Sequence, residues 1–159
     1  MTSATLPCFL LVPGGFTTSS CYERLIPHIE EGGYATVVGS IPSATTKDPL
    51  NASCIDDNTF IKEQYIDRLV KSEERDVIIF AHSYAGQIIG GASDADVVKA
   101  ERAKTGLKGG VLGMIYLAGN VIKEGASLFD ACGGQWPPYI QEDTVRLTTT
   151  SDSLLRIMY

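Results

Sequence analysis

Ser83 is the residue best placed to do chemistry. An apolar run, Val77-Ile78-Ile79-Phe80-Ala81, leads into His82-Ser83-Tyr84, and Ala85-Gly86-Gln87 opens the next apolar segment. A strand, a sharp turn and a helix start are expected here, with a hydroxyl at the apex. The spacing is a relaxed form of the G-x-S-x-G nucleophile elbow, with Ala81 and Ala85 in place of the glycines. A serine that attacks a carbonyl carbon must stand clear of the backbone, so the turn is tight. Residues two positions to either side must then be small, or their side chains collide across the turn. Ordinary strand-to-helix connections carry the same spacing, so on these residues alone nucleophile and plain connector stay equally open.

A second apolar run, Cys8-Phe9-Leu10-Leu11-Val12, ends in Pro13-Gly14-Gly15-Phe16. Glycine is needed where a chain must come close to a substrate oxygen. With Leu11-Val12-Pro13-Gly14-Gly15-Phe16 first, then Ile79-Phe80-Ala81-His82-Ser83-Tyr84-Ala85-Gly86, the chain resembles the α/β-hydrolase superfamily. Ile115-Tyr116-Leu117-Ala118 and Ile122-Lys123-Glu124-Gly125-Ala126-Ser127-Leu128 match further on. The nearer resemblance is to small esterase and hydroxynitrile-lyase-like members and their fungal relatives. It implies Ser83 as nucleophile, and the backbone N–H groups of Gly15 and Tyr84 as the oxyanion hole. Gly14, Phe16, His82 and Trp136 would line the substrate pocket. It also implies that 1–120 is the amino-terminal part of the core, and that 121–159 begins the lid region and stops short of the last core strands. The substrate class it implies is a small ester or related carbonyl compound, with no cofactor.

Serine chemistry needs a base to take the hydroxyl proton and an acid to orient that base. In this superfamily the order is serine, acid, histidine. The chain has two histidines, His28 and His82, and neither lies downstream of Ser83. Elbow geometry sends adjacent side chains in different directions, so His82 is expected to be a poor base for Ser83. His28 falls on the first helix. Asp130, Glu142 and Asp152 match no acid position of the family. The expectation is therefore a hydrolase with nucleophile and oxyanion hole but no complete triad, inactive or weakly active as it stands. The alternative is a non-catalytic ligand-binding relative on the same fold. A nucleotide-binding domain is disfavoured, because neither G-x-G-x-x-G nor G-x-x-x-x-G-K-[ST] is present.

Around these residues strands and helices alternate. Strands are expected at 9–12, 34–39 and 111–118, and at the run before Ser83. Ser20 and Glu23 have capping-box spacing, which predicts a helix from there to Gly32-Gly33 with Pro27 inside it. Residues 40–57 read as loop. Residues 58–72 read as an amphipathic helix, with Ile61, Tyr65 and Leu69 on one stripe, Ile66 and Val70 beside it, and Asp56 and Asp57 at its positive end. A buried helix is expected over 84–91, and 93–108 reads as a solvated, charged helix and loop broken at Gly106. Phe129, Trp136 and Tyr139 would line the pocket or, for two of the three, pack internally. The fold class expected is α/β, a mostly parallel sheet with helices on both faces, forming an incomplete α/β-hydrolase fold.

Composition narrows the rest. The chain has 159 residues, 44% hydrophobic and 20% charged, as a single globular domain would. A net charge of −6 argues against nucleic-acid binding, and the apolar runs are too short for a membrane span. The first seven residues lack a basic leader, and Cys8, Cys21, Cys54 and Cys132 have no metal-ligand spacing; cytoplasmic free thiols and no metal are expected. The strand at 111–118 is expected to be an apolar sheet edge through which the chain self-associates.

Overall fold

The computed structural model describes residues 6–15, 17–46, 53–90, 94–138, 140–142 and 147–149. Four strands form one parallel sheet in the order β2-β1-β3-β4: β1 is Cys8–Val12, β2 Ala35–Val38, β3 Asp76–His82 and β4 Gly110–Leu117. A separate antiparallel pair joins β5 (Ile140–Glu142) to β6 (Leu147–Thr149). The helices are α1 (Ile26–Glu31), α2 (Pro42–Thr45), α3 (Cys54–Ile61), α4 (Ala85–Ile88), α5 (Lys99–Lys104) and α6 (Leu128–Ala131). The α3 chain runs on through two wider turns, Lys62–Ile66 and Arg68–Ser72. This is an α/β fold, as the alternation of apolar runs with helical patterns requires.

The register shows why the core sits on one face. Leu10 stands beside Val37 and Ile79, and Val12 beside Ala81, so these side chains share a face. Ile61, Ile66, Leu69 and Val70 of the long helical stretch close over it, and Ile88 and Ile89 complete the cluster. All but the half-buried Val37 are at most 2% exposed. Burying one such side chain stabilises the fold by about 1.5–3 kcal/mol. The opposite face is covered less evenly: along β3 the residues between Val77, Ile79 and Ala81 are only half-buried.

Five local expectations need correcting. Ser20 and Glu23 form no capping box; the Ser20 hydroxyl bonds that of Thr18, and Ser19–Tyr22 is a single 3-10 turn. The α-helix begins at Ile26, which puts Pro27 in the first turn, where the missing N–H leaves no bond unmade. The second helix starts at Cys54 rather than at residue 58, because Ser53 and Asp56 make a reciprocal capping box. Residues 42–45 of the expected loop are helical, and α4 spans only four residues. Finally, the charged segment around α5 is not wholly solvated. Arg102 is buried, and its guanidinium donates to the carbonyls of Gly109, Asp96, Val70 and Lys108, tying α5 to the start of β4.

At the sheet edge, Val98 pairs with Val111 and protects the start of β4. Beyond it, Leu112, Ile115, Tyr116 and Leu117 are 39–50% exposed. An apolar strand with an unpaired edge is a template for another chain. Sedimentation velocity is expected to show oligomers that grow with protein concentration, and Ile115→Lys to shift them toward monomer. A monodisperse monomer at all concentrations would contradict this.

Candidate functional site

β3 delivers Ser83 to the carboxyl end of the sheet, at the turn into α4. There Ser83 has φ +53°, a left-handed conformation that L-residues other than Asn and Asp seldom adopt. Surrounding bonds hold it. Its N–H donates to the Leu117 carbonyl at 3.1 Å, and its own carbonyl accepts from Asn120 N–H at 2.9 Å and Gly86 N–H at 3.1 Å. The end of β4 thus braces the elbow. Ala81 and Ala85 are fully buried on either side of it. At Gly86 a Cβ would stand 2.8 Å from both backbone N and O of Asn120, so only glycine lets α4 approach that strand end.

The glycine loop after β1 lies against Ser83. A Cβ on Gly14 would stand 3.0 Å from both Ser83 Cβ and His82 Nδ1. Gly14 is pinned by side chains: its N–H donates to Tyr22 Oη at 3.1 Å, and its carbonyl accepts from Thr17 Oγ1 at 2.9 Å. Tyr22 Oη also bonds Thr17 Oγ1 at 2.9 Å and His82 Nδ1 at 2.7 Å. Burial holds the His82 pKa below its ordinary value, so the ring is neutral at pH 7. Among the described residues, no backbone acceptor takes the N–H of Gly15 or of Tyr84.

Tyr84 anchors the far side of the elbow. Its ring is buried, and its hydroxyl donates to Asp57 Oδ2 at 2.9 Å. Asp57 stands in the first turn of α3, at the positive end of the helix as expected, and is fully buried. It accepts from Ser43 N–H at 2.9 Å through Oδ1, and Oδ2 takes a short bond from the Ser43 hydroxyl. Desolvation raises the Asp57 pKa above its usual range, although the Ser43 and Tyr84 donors work against that. Burial and the neighbouring Asp57 carboxylate push the Tyr84 hydroxyl far up as well, so it stays a donor. Sequence reasoning missed this anchor, since Ser43 and Tyr84 lie 14 and 27 residues away from Asp57 along the chain.

The other sequence-based candidates are placed as follows. Trp136 stacks with Phe129 at 5.2 Å between ring centroids and packs against the core cluster. His28 is exposed on α1 beside Glu31. Asp130 caps α6 through Ser127. Phe16, Tyr139 and Asp152 lie outside the described residues. Among the described residues, no cluster of His, Cys, Asp and Glu has the makings of a metal site, and no helix is long and apolar enough to cross a membrane.

No protein-family model matches the chain. The chain is 28% identical over 135 residues to "Probable hydrolase R7" of Phoma sp. (strain ATCC 20986 / MF5453), in an alignment that takes in 82% of this chain. The same alignment takes in 50% of that protein, so the chain spans about half the length of the relative it matches.

Proposed function

We propose that the chain is the nucleophile-bearing part of an α/β-hydrolase-type serine hydrolase acting on a small ester or related carbonyl compound. The observation that carries this reading is the left-handed backbone of Ser83 at a strand-to-helix turn, packed against a glycine loop. A left-handed serine is disfavoured by roughly 1–2 kcal/mol, a strain expected where a hydroxyl must be presented. The relative's description as a probable hydrolase agrees with it. In this reading residues 1–120 belong to the core of the fold and 121–159 to the lid region.

The chemistry then runs in two steps. Ser83 Oγ attacks the carbonyl carbon and passes its proton to a solvent water, which later returns one to the leaving alcohol, and the oxygen that becomes negative is received by the N–H groups of Gly15 and Tyr84. The alcohol leaves with a proton, and water later releases the acid from the acyl-serine. Gly14 and His82 border the reacting carbon. A second reading, ligand binding without catalysis, is favoured by one observation: His28 is exposed on α1 and the Nδ1 of His82 is committed to Tyr22. Hydrolysis of p-nitrophenyl acetate separates the two. We expect slow hydrolysis above the buffer rate that Ser83→Ala removes; a rate unchanged in Ser83→Ala supports the binding reading.

A further inference from the structure

We infer that His82 is held as the Nδ1–H tautomer and offers the bare lone pair of Nε2, beside Ser83, as an acceptor for a hydroxyl or N–H donor on a bound molecule. The tautomer follows from counting hydrogens around Tyr22. Gly14 N–H can only donate, so Tyr22 Oη accepts from it. The Gly14 carbonyl can only accept, so Thr17 uses its single hydroxyl hydrogen there. The Thr17–Tyr22 contact must then be a donation from Tyr22, which exhausts the tyrosine's one hydrogen. What remains is the Tyr22–His82 contact, and only His82 Nδ1 can supply its hydrogen. Tyr22 Oη accepts two bonds and donates one, within its capacity. If Tyr22 donated to His82 instead, the single Thr17 hydrogen could serve only one of its two contacts, and either the Gly14 carbonyl or Tyr22 Oη would face Thr17 Oγ1 at 2.9 Å with no hydrogen between them.

The circuit has two effects. It fixes the glycine loop through a side chain adjacent to Ser83, which makes His82 a positioning residue for that loop. It also leaves Nε2 without a hydrogen. Among the described residues none bonds Nε2, and the His82 side chain is only half-buried. The ligand-accepting role of Nε2 rests on the reading of Ser83 as the reacting centre; the tautomer does not.

The test is long-range 1H–15N correlation spectroscopy on protein labelled at histidine nitrogens, at about pH 8, well above the ordinary histidine pKa of roughly 6.5. His28→Gln assigns the remaining signal. Neutral histidine side chains in water favour the Nε2–H form. We expect His82 to favour Nδ1–H by roughly tenfold, since the other tautomer forfeits a part-buried hydrogen bond, and Tyr22→Phe to return it toward Nε2–H. A wild-type spectrum with Nε2–H, or an even mixture, overturns the tautomer. Titration with phenol, an un-ionised hydroxyl donor at that pH, should move the Nε2 signal saturably toward its protonated position while Nδ1 holds. An unmoved Nε2 overturns the acceptor role and leaves the Ser83 reading to be judged by hydrolysis.

Discussion

Asp57→Ala is expected to destabilise the chain by about 3–4 kcal/mol, because it orphans three buried donors at roughly 1–3 kcal/mol each, with partial relaxation. The donors are the Ser43 N–H, the Ser43 hydroxyl and the Tyr84 hydroxyl. For a chain of this size that is a loss of about 10 °C in melting temperature. Tyr84 follows Ser83 directly, so the same change loosens the elbow from behind. Asp57→Asn keeps the volume and should cost less: with its amide oxygen on the Ser43 N–H, the Ser43 and Tyr84 hydroxyls, which can rotate, turn to accept from Nδ2. The pH dependence has a definite sign. The folded pKa of Asp57 is raised by burial, so the native state holds its proton more tightly than the unfolded chain does. Its contribution is greatest below the unfolded value of roughly 3.9 and declines as pH rises through the folded one. Asp57→Asn removes that decline from the melting curves. A loss of only a degree or two in Asp57→Ala would show that the network contributes little.

The second large effect is kinetic. Serine at neutral pH is a weak nucleophile until a base accepts its proton. With Nδ1 of His82 committed to Tyr22 and His28 exposed on α1, turnover of p-nitrophenyl acetate should be roughly 10⁶-fold slower than for a serine hydrolase with its base in place. Preorganised N–H donors and binding can still leave about 10³–10⁴-fold over water. Fast hydrolysis lost in Ser83→Ala would mean that a base acts on Ser83 after all. If His82→Ala abolished it while Tyr22→Phe, which breaks the same loop contact, did not, His82 Nε2 would be that base.

Much of the fold was legible because its strands are uninterrupted apolar runs that end at glycine or serine. The 9–12, 34–39 and 111–118 strands fall within a residue or two of β1, β2 and β4. The elbow was legible for a steric reason: only small residues fit at 81 and 85, and both are fully buried. What could not be read were tertiary partners. Asp56 and Asp57 look alike as acids at a helix start, yet one caps through Ser53 while the other turns inward to Ser43 and Tyr84. Arg102 reads as one charge among many, and its role rests on four carbonyls, three of them six or seven residues away and the fourth that of Val70 on the long helical stretch. At Ser20 two local signals competed: Pro27 in the first turn set the helix start, and the capping spacing lost.

The proposed nucleophile, Ser83, can be trapped chemically. Acylation and deacylation both need proton transfer, and deacylation must also activate a water, so an acyl-serine formed here should persist. Incubation with excess p-nitrophenyl acetate, followed by intact-mass measurement and peptide mapping, tests this directly. One acetyl group is expected on Ser83, absent in Ser83→Ala. Acetylation confined to lysine, cysteine or tyrosine side chains, with Ser83 unmodified, would contradict it.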